Sequence, residues 1–171
     1  ACLLARVAGL PIGQVVLATN GNRVLPDFLA TGIYEPRTSI PTLANAMDVG
    51  APSNLERLRH RWPDPARIVT ADWVDDATIR DTVVTTLRTT GAIVSPHTAC
   101  GLAVLARLRA RGERGPWIVA ATAHAAKFDS VIEPLIGRAI PVPPSLAALL
   151  ARPSRAAPMA ATLGALAARL S

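Results

Sequence analysis

The sequence predicts an α/β protein: a parallel sheet with helices on both faces. Three observations carry that expectation. Short apolar runs rich in β-branched residues recur along the chain, as IGQVVLAT (12–19), Ile68–Thr70, Ala92–Val94 and Trp117–Ala121. Segments with helical periodicity lie between and after them. Glycines at 9, 32, 91, 112 and 137 stand where those helical segments stop. Parallel strands covered on both faces read as continuous apolar runs instead of alternating ones.

Taken in order, ACLLARVAG reads as the last turns of a helix, with Leu3, Leu4 and Val7 on one side and Gly9 as the stop. Ile12–Thr19 is the first strand, and Asn20, Gly21 and Asn22 turn the chain. A short helix over Leu25–Ala30 leads to an irregular segment, Tyr34–Met47, long enough to be a lid or binding loop. Ser53 with Glu56 three residues on predicts a capping box for a helix with an apolar stripe of Leu55, Leu58 and Trp62. Asp75 or Asp76 caps the next helix, where Ile79, Val83 and Leu87 recur every four residues. Ser95 followed by Pro96 predicts an N-cap with proline in the first helical turn, opening a helix to Gly112. The strand at 117–121 precedes a helix facing inward through Phe128, Val131 and Leu135. Residues 1–140 thus form the sheet domain, and 141–171 a Pro/Ala-rich tail with helices at Leu146–Ala151 and Leu163–Leu170.

Half of the 171 residues are hydrophobic, so a core for one domain is available. The net charge of +6 is spread along the chain, apart from clusters at Arg57, Arg59 and Arg61 and from Arg107 to Arg114. Only Trp62 lies beside the first cluster, so a base-stacking platform is missing and nucleic acid is not the expected partner. No signal peptide is legible and no run reaches the ~18 apolar residues of a membrane span, which makes a cytoplasmic protein the expectation. Cys2 and Cys100 lack CxxC or ligand spacing with His60, His97 or His124, so no metal site is expected and both read as buried, reduced thiols.

Chemistry concentrates where a strand ends. ATAHAAKF, ending at Phe128, would release Thr122, His124 and Lys127 at the carboxyl end of the fourth apolar run, the usual ligand position in an open α/β sheet. With ATNGNR (18–23), TLANAMDVGAPSN (42–54) and SPHTACG (95–101), it resembles the carboxyl-terminal part of the threonine synthase family, in order and spacing, from about residue 9 to 150. That family belongs with the pyridoxal-phosphate enzymes of the tryptophan synthase β fold. The resemblance implies pyridoxal 5'-phosphate as cofactor and O-phospho-L-homoserine as substrate, converted with water to L-threonine and phosphate. It also implies a carboxyl-terminal fragment, inactive alone, whose partner is the missing amino-terminal half. The family's Schiff-base lysine and glycine-rich phosphate loop both precede the first matched string.

On that resemblance Thr122 is the hydroxyl meeting the cofactor's pyridine nitrogen, the cofactor-binding candidate. His124 and Lys127 are the catalytic candidates; Lys127, the single lysine, reads as a cation for the substrate's phosphate and not as the Schiff base. Asn20, Asn45, Asp48 and His97 are the substrate-binding candidates. Each has a plainer reading beside it. Thr122 would satisfy backbone groups, Lys127 would be a solvated first-turn lysine, the histidines would orient loops, and the Asn and Asp residues would hold turns. Three departures from the family pattern stand out: Arg23 in place of an acid after ATNxN, Ala125 in place of proline after AH, and Ser95 in place of an acid before PH. The alternatives are a related pyridoxal-phosphate lyase, such as a threonine dehydratase or cysteine synthase, or a non-catalytic amino-acid-binding or assembly domain.

Overall fold

A computed structural model describes residues 1–153 and 156–170. Residues 154, 155 and 171, which include part of the proline-rich tail, lie outside the described residues. The chain divides into two compact units, Ala1–Ile140 and Pro141–Ser171.

In the first unit, β1 (Val15–Thr19) and β2 (Val69–Trp73) pair in parallel, Val15 opposite Val69 through Thr19 opposite Trp73. The Val74 N–H, donating to the Thr19 carbonyl at 3.0 Å, closes the pair at its carboxyl end. β1 starts later than its apolar run suggests. The Ile12 N–H is turned back onto the Leu10 carbonyl at 2.7 Å and Arg6 takes the Gly13 carbonyl at 3.1 Å, so residues 12–14 have no ladder to join. β2 in turn runs on past Thr70. Asp72 is a poor strand residue, but Arg107 donates to its carboxylate at 3.0 Å and to the Trp73 carbonyl at 2.6 Å.

Two predicted strands, Ala92–Val94 and Trp117–Ala121, are not strands here. Among the described residues neither joins a ladder, and Ile118 is 95% exposed. An apolar run supplies one side of a strand pair, and the hydrogen bonds depend on a neighbour. The second of these segments is nevertheless held in place. A Cβ on Gly101 would come within 2.7 Å of Val119 Cγ1, so this segment seats on α5 (Pro96–Ala110) at that helix's one position without a side chain.

The helices follow their caps. α1 (Cys2–Val7) and α2 (Val24–Thr31) precede the long loop, and α2 ends on Gly32 in the left-handed conformation. α3 (Asn54–Arg61) forms, but its expected capping box does not. Ser53 is itself helical and makes no side-chain bond, because the carbonyls of Pro52 and Ser53 receive the N–H groups of Leu55 and Glu56 in a tight turn. α4 (Asp76–Thr90) is capped by Asp75, whose carboxylate accepts from the Thr78 N–H at 2.8 Å, and stops at left-handed Gly91. α5 (Pro96–Ala110) is capped by buried Ser95, which accepts from the Thr98 N–H at 3.3 Å. A 3-10 turn at Ala125–Phe128 runs into α6 (Asp129–Ile136), which buries Ile132 completely and ends at left-handed Gly137.

α2 and α5 pack on both strands, while α4 packs on α5 and α6. Ile79, Val83, Ala99, Cys100, Val104 and Ile132 form much of the core between them. Cys2, expected inside, is exposed, since α1 buries no residue. In the second unit, α7 (Pro144–Leu150) and α8 (Leu163–Leu170) form close to where the Ala/Leu runs place them.

Candidate active site

The turn after β1 is built on one buried amide. Asn20 is fully buried, and its Nδ2 donates to Thr42 Oγ1 (2.7 Å), Asp48 Oδ1 (2.7 Å) and the Ala44 carbonyl (3.2 Å). Its Oδ1 accepts from the Asn22 backbone N–H at 2.9 Å. Asn22, 8% exposed, bridges across to the loop in both directions: its amide donates to the Ile40 carbonyl and its oxygen accepts from the Ile40 N–H, each at 2.9 Å. Asp48 closes the network by accepting from the Thr42 N–H (2.9 Å) and hydroxyl (2.7 Å). One carboxylate and two amides therefore fix the loop at 40–48 against the end of β1. Buried amides are stable only when so satisfied. Further along, the buried Gly50 N–H donates to Ser39 Oγ at 2.9 Å and its carbonyl accepts from Arg37, an approach so close that a side chain would strike the Arg37 carbonyl.

His97 connects this loop to the rest. It sits in the first turn of α5, and its Nε2 accepts from the Ala46 N–H at 3.0 Å, on the 3-10 turn Asn45–Met47. Its ring lies 4.8 Å from that of Phe128, tilted by 45°. Nδ1 is buried and has no hydrogen-bond partner among the described residues. Burial holds the imidazole below its ordinary pKa, and Asp48 opposes that shift without cancelling it. The ATAHAAKF segment follows the same local logic at its own start. His124 caps the 3-10 turn, its Nδ1 accepting from the Ala126 N–H at 3.2 Å, which leaves the proton of the neutral ring on Nε2.

The structure thus brings Asn20, Asp48, His97 and the turn carrying Asn45 into one connected group. Asn45 is exposed on that turn. Thr122, His124 and Lys127 are exposed as well, and only the segment's last residue, Phe128, reaches His97. Sequence reasoning gave Asn22 and Phe128 structural places only, in a turn and on a helix face, and assigned Thr42 no role. The Asn-x-Asn pair was a usable signal, because two amides buried at a strand end need partners and the loop's Thr and Asp are the available ones. Beside this group, an open cleft of about 480 Å³ lies at the carboxyl ends of both strands, lined by Arg23, Thr42, Trp73, Asp75 and Asp76 among others. Arg23, the departure from the family's acid, stacks 4.8 Å from the Trp73 ring and pairs with Asp27 at 3.3 Å. In the second arginine cluster, Arg107 and Arg111 pair with Asp72, and Arg109 donates to the carbonyls of Glu113 and Gly115.

Comparison with known proteins decides the family. The family described as "Threonine synthase, C-terminal" matches residues 98–169. Threonine synthase of Serratia marcescens is 36% identical over 148 residues, covering 85% of this chain and 34% of the relative. The crystal structure of threonine synthase from Escherichia coli superposes with a TM-score of 0.78 at 32% identity, over 98% of this chain and 39% of that one. The chain belongs to the threonine synthase family. It spans about a third of the length of the curated relatives it matches. A pyridoxal-phosphate-bound threonine synthase from Brucella melitensis is also similar, with a TM-score of 0.76 at 27% identity, over 88% of this chain and 38% of that one. The α/β fold with a parallel sheet, read from the sequence, is therefore that of the threonine synthases.

Three residues of the ATAHAAKF segment carry polar groups open to solvent. Thr122 is exposed, and its hydroxyl forms no hydrogen bond among the described residues, so it is available as a donor. His124 and Lys127 follow within one turn and present an N–H and an ammonium to solvent. No helix among the described residues is long and apolar enough to cross a membrane.

Proposed function

We propose that this chain forms the carboxyl-terminal part of a cytoplasmic threonine synthase, which converts O-phospho-L-homoserine and water to L-threonine and phosphate. The observation that supports this most strongly is spatial: three separated strings, NAMD, SPHT and AHAAKF, meet at the imidazole of His97. Strings that serve one site have to be close in space, whereas unrelated turn signals do not.

Pyridoxal phosphate, when bound, supplies an electron sink. In this reading the Thr122 hydroxyl donates a hydrogen bond to its ring nitrogen without protonating it, as a neutral donor does. Lys127 and the Nε2–H of His124 stabilise negative charge on the departing phosphate. Asn45 offers an exposed amide to the substrate's amino-acid head, and Asn20 and Asp48 hold the loop that presents it. Residues 1–140 contribute to the catalytic domain and 141–171 form an appended tail. A partner region equivalent to the amino-terminal part of the family supplies the lysine and the phosphate cradle.

The test is a fusion of the amino-terminal two thirds of the Escherichia coli enzyme to this chain, assayed for phosphate release from O-phospho-L-homoserine. Release with matching threonine formation is the expected result. A folded, cofactor-loaded fusion that turns over only serine or O-acetylserine would show that the assignment is wrong.

A further inference from the structure

We propose that His97 is a positioning residue: as the neutral Nδ1–H tautomer it pins the Asn45–Met47 turn to the start of α5, and protonation releases that turn. Its bearing on turnover rests on the threonine synthase reading, but the device itself does not.

The geometry assigns the tautomer. An imidazole nitrogen that accepts from a backbone N–H has its lone pair engaged, so with Nε2 facing Ala46 N at 3.0 Å the ring's single proton is on Nδ1. That proton is buried without an acceptor among the described residues, an arrangement proteins seldom keep. The alternative tautomer would pair Nδ1 no better and would set an N–H against the Ala46 N–H. Protonation of the ring produces that same clash of two donors. The ring also packs against Phe128, 4.8 Å away, so a swing that relieved the clash would disturb the segment that carries Thr122 and Lys127.

The surroundings set the direction. Burial disfavours the cation and Asp48, on the turn's own loop, favours it, with burial the larger effect. Asp76 at the start of α4 is occupied by the Leu43 N–H at 3.1 Å. Cys100 lies one turn further along α5 and is buried. His124, Lys127 and Asp129, which flank Phe128, are exposed to solvent. Released, the turn carries with it Asn45 and the residue next to Asp48, so a single proton reaches the loop that the Asn20 network organises. Among the described residues, the His97 bond is the side-chain hydrogen bond between α5 and that turn.

Nuclear magnetic resonance of the labelled chain tests this without any need for catalysis, so failure here and failure of the threonine synthase reading are separate results. Long-range nitrogen–carbon correlations should show His97 protonated at Nδ1 at neutral pH. Amide exchange at Ala46, corrected for its intrinsic pH dependence, should lose about fivefold protection, the equivalent of one hydrogen bond, as His97 titrates. His97→Gln, whose side-chain oxygen reaches the Nε2 position and does not titrate, should keep the protection and remove its pH dependence. His97→Ala should lose it at every pH. A ring protonated at Nε2, or Ala46 protection that ignores both the titration and the Ala variant, would overturn the proposal. The tautomer is measured in the unsubstituted chain, so it is decisive even where a variant fails to fold.

Discussion

Asn20 illustrates how a residue that resembles a ligand-binding group can be consumed by structure. Its amide hydrogens and oxygen are engaged within the loop network, so Asn20→Ala leaves half-buried Thr42 and Asp48 and buried Asn22 short of partners. We expect a loss of about 1–3 kcal/mol in urea unfolding. Thr122 is the opposite case. Exposed and unbonded, it should tolerate Thr122→Ala within about 0.5 kcal/mol of stability. In the fusion enzyme the same change should weaken cofactor binding by roughly fivefold, the order of ~1 kcal/mol, and Thr122→Ser should restore it. Cofactor affinity that is equal for Ala and Thr would remove Thr122 from the site. The candidate site entered as strings, because those strings resemble the ones of the threonine synthase family. Which amide faces a ligand and which faces another amide was not legible, since that depends on partners twenty or more residues away, as Asn20 and Thr42 are.

Among elements, the helices were legible and half the strands were not. Asp75, Ser95 with Pro96, and the left-handed glycines 32, 91 and 137 act within one turn of themselves, so the sequence carries the complete instruction locally. Ser95→Ala should cost about 0.5–2 kcal/mol, read by thermal or urea unfolding, because it removes both the cap on Thr98 N–H and the 3.1 Å bond to the Thr98 hydroxyl. Strand status at 92–94 and 117–121 depends on a neighbour that composition does not name. The contact at Gly101 shows that the second segment still has a fixed seat. Gly101→Ala should push Val119 outward at a cost of about 1–3 kcal/mol despite alanine's better helix propensity. A stabilised variant would mean that residues 117–121 sit elsewhere.

At the scale of the molecule, pH couples these parts. The folded pKa of His97 is depressed by burial, so the folded state binds fewer protons than the unfolded one. Its contribution is complete above the ordinary histidine value, about 6.5, and declines as pH falls from there toward the lowered value. Asp75, lowered by its bonds to Thr78, adds stability above the ordinary carboxylate range that is lost only in stronger acid. Urea midpoints should therefore begin to fall below about pH 6.5, and His97→Gln should remove that early decline while leaving the loss in stronger acid. An early decline that is the same in the unsubstituted chain and in His97→Gln would contradict this. The sheet sets the other limit: β1 and β2 each keep one edge unpaired among the described residues, and two parallel strands are marginal on their own. Amide exchange along Val15–Thr19 should slow when the fusion supplies the remainder of the enzyme.

The two thiols stand on opposite sides of this packing. Cys2 is exposed on α1, while Cys100 is buried beneath α4 and its pKa is pushed up to about 12, chiefly by burial and further by Asp76. An alkylating dye at neutral pH therefore meets one reactive sulfur in the native chain and two once α5 is uncovered. The chain carries its own stopwatch: the second labelling event times the parting of α4 from α5, and mass spectrometry reads it without any engineered reporter.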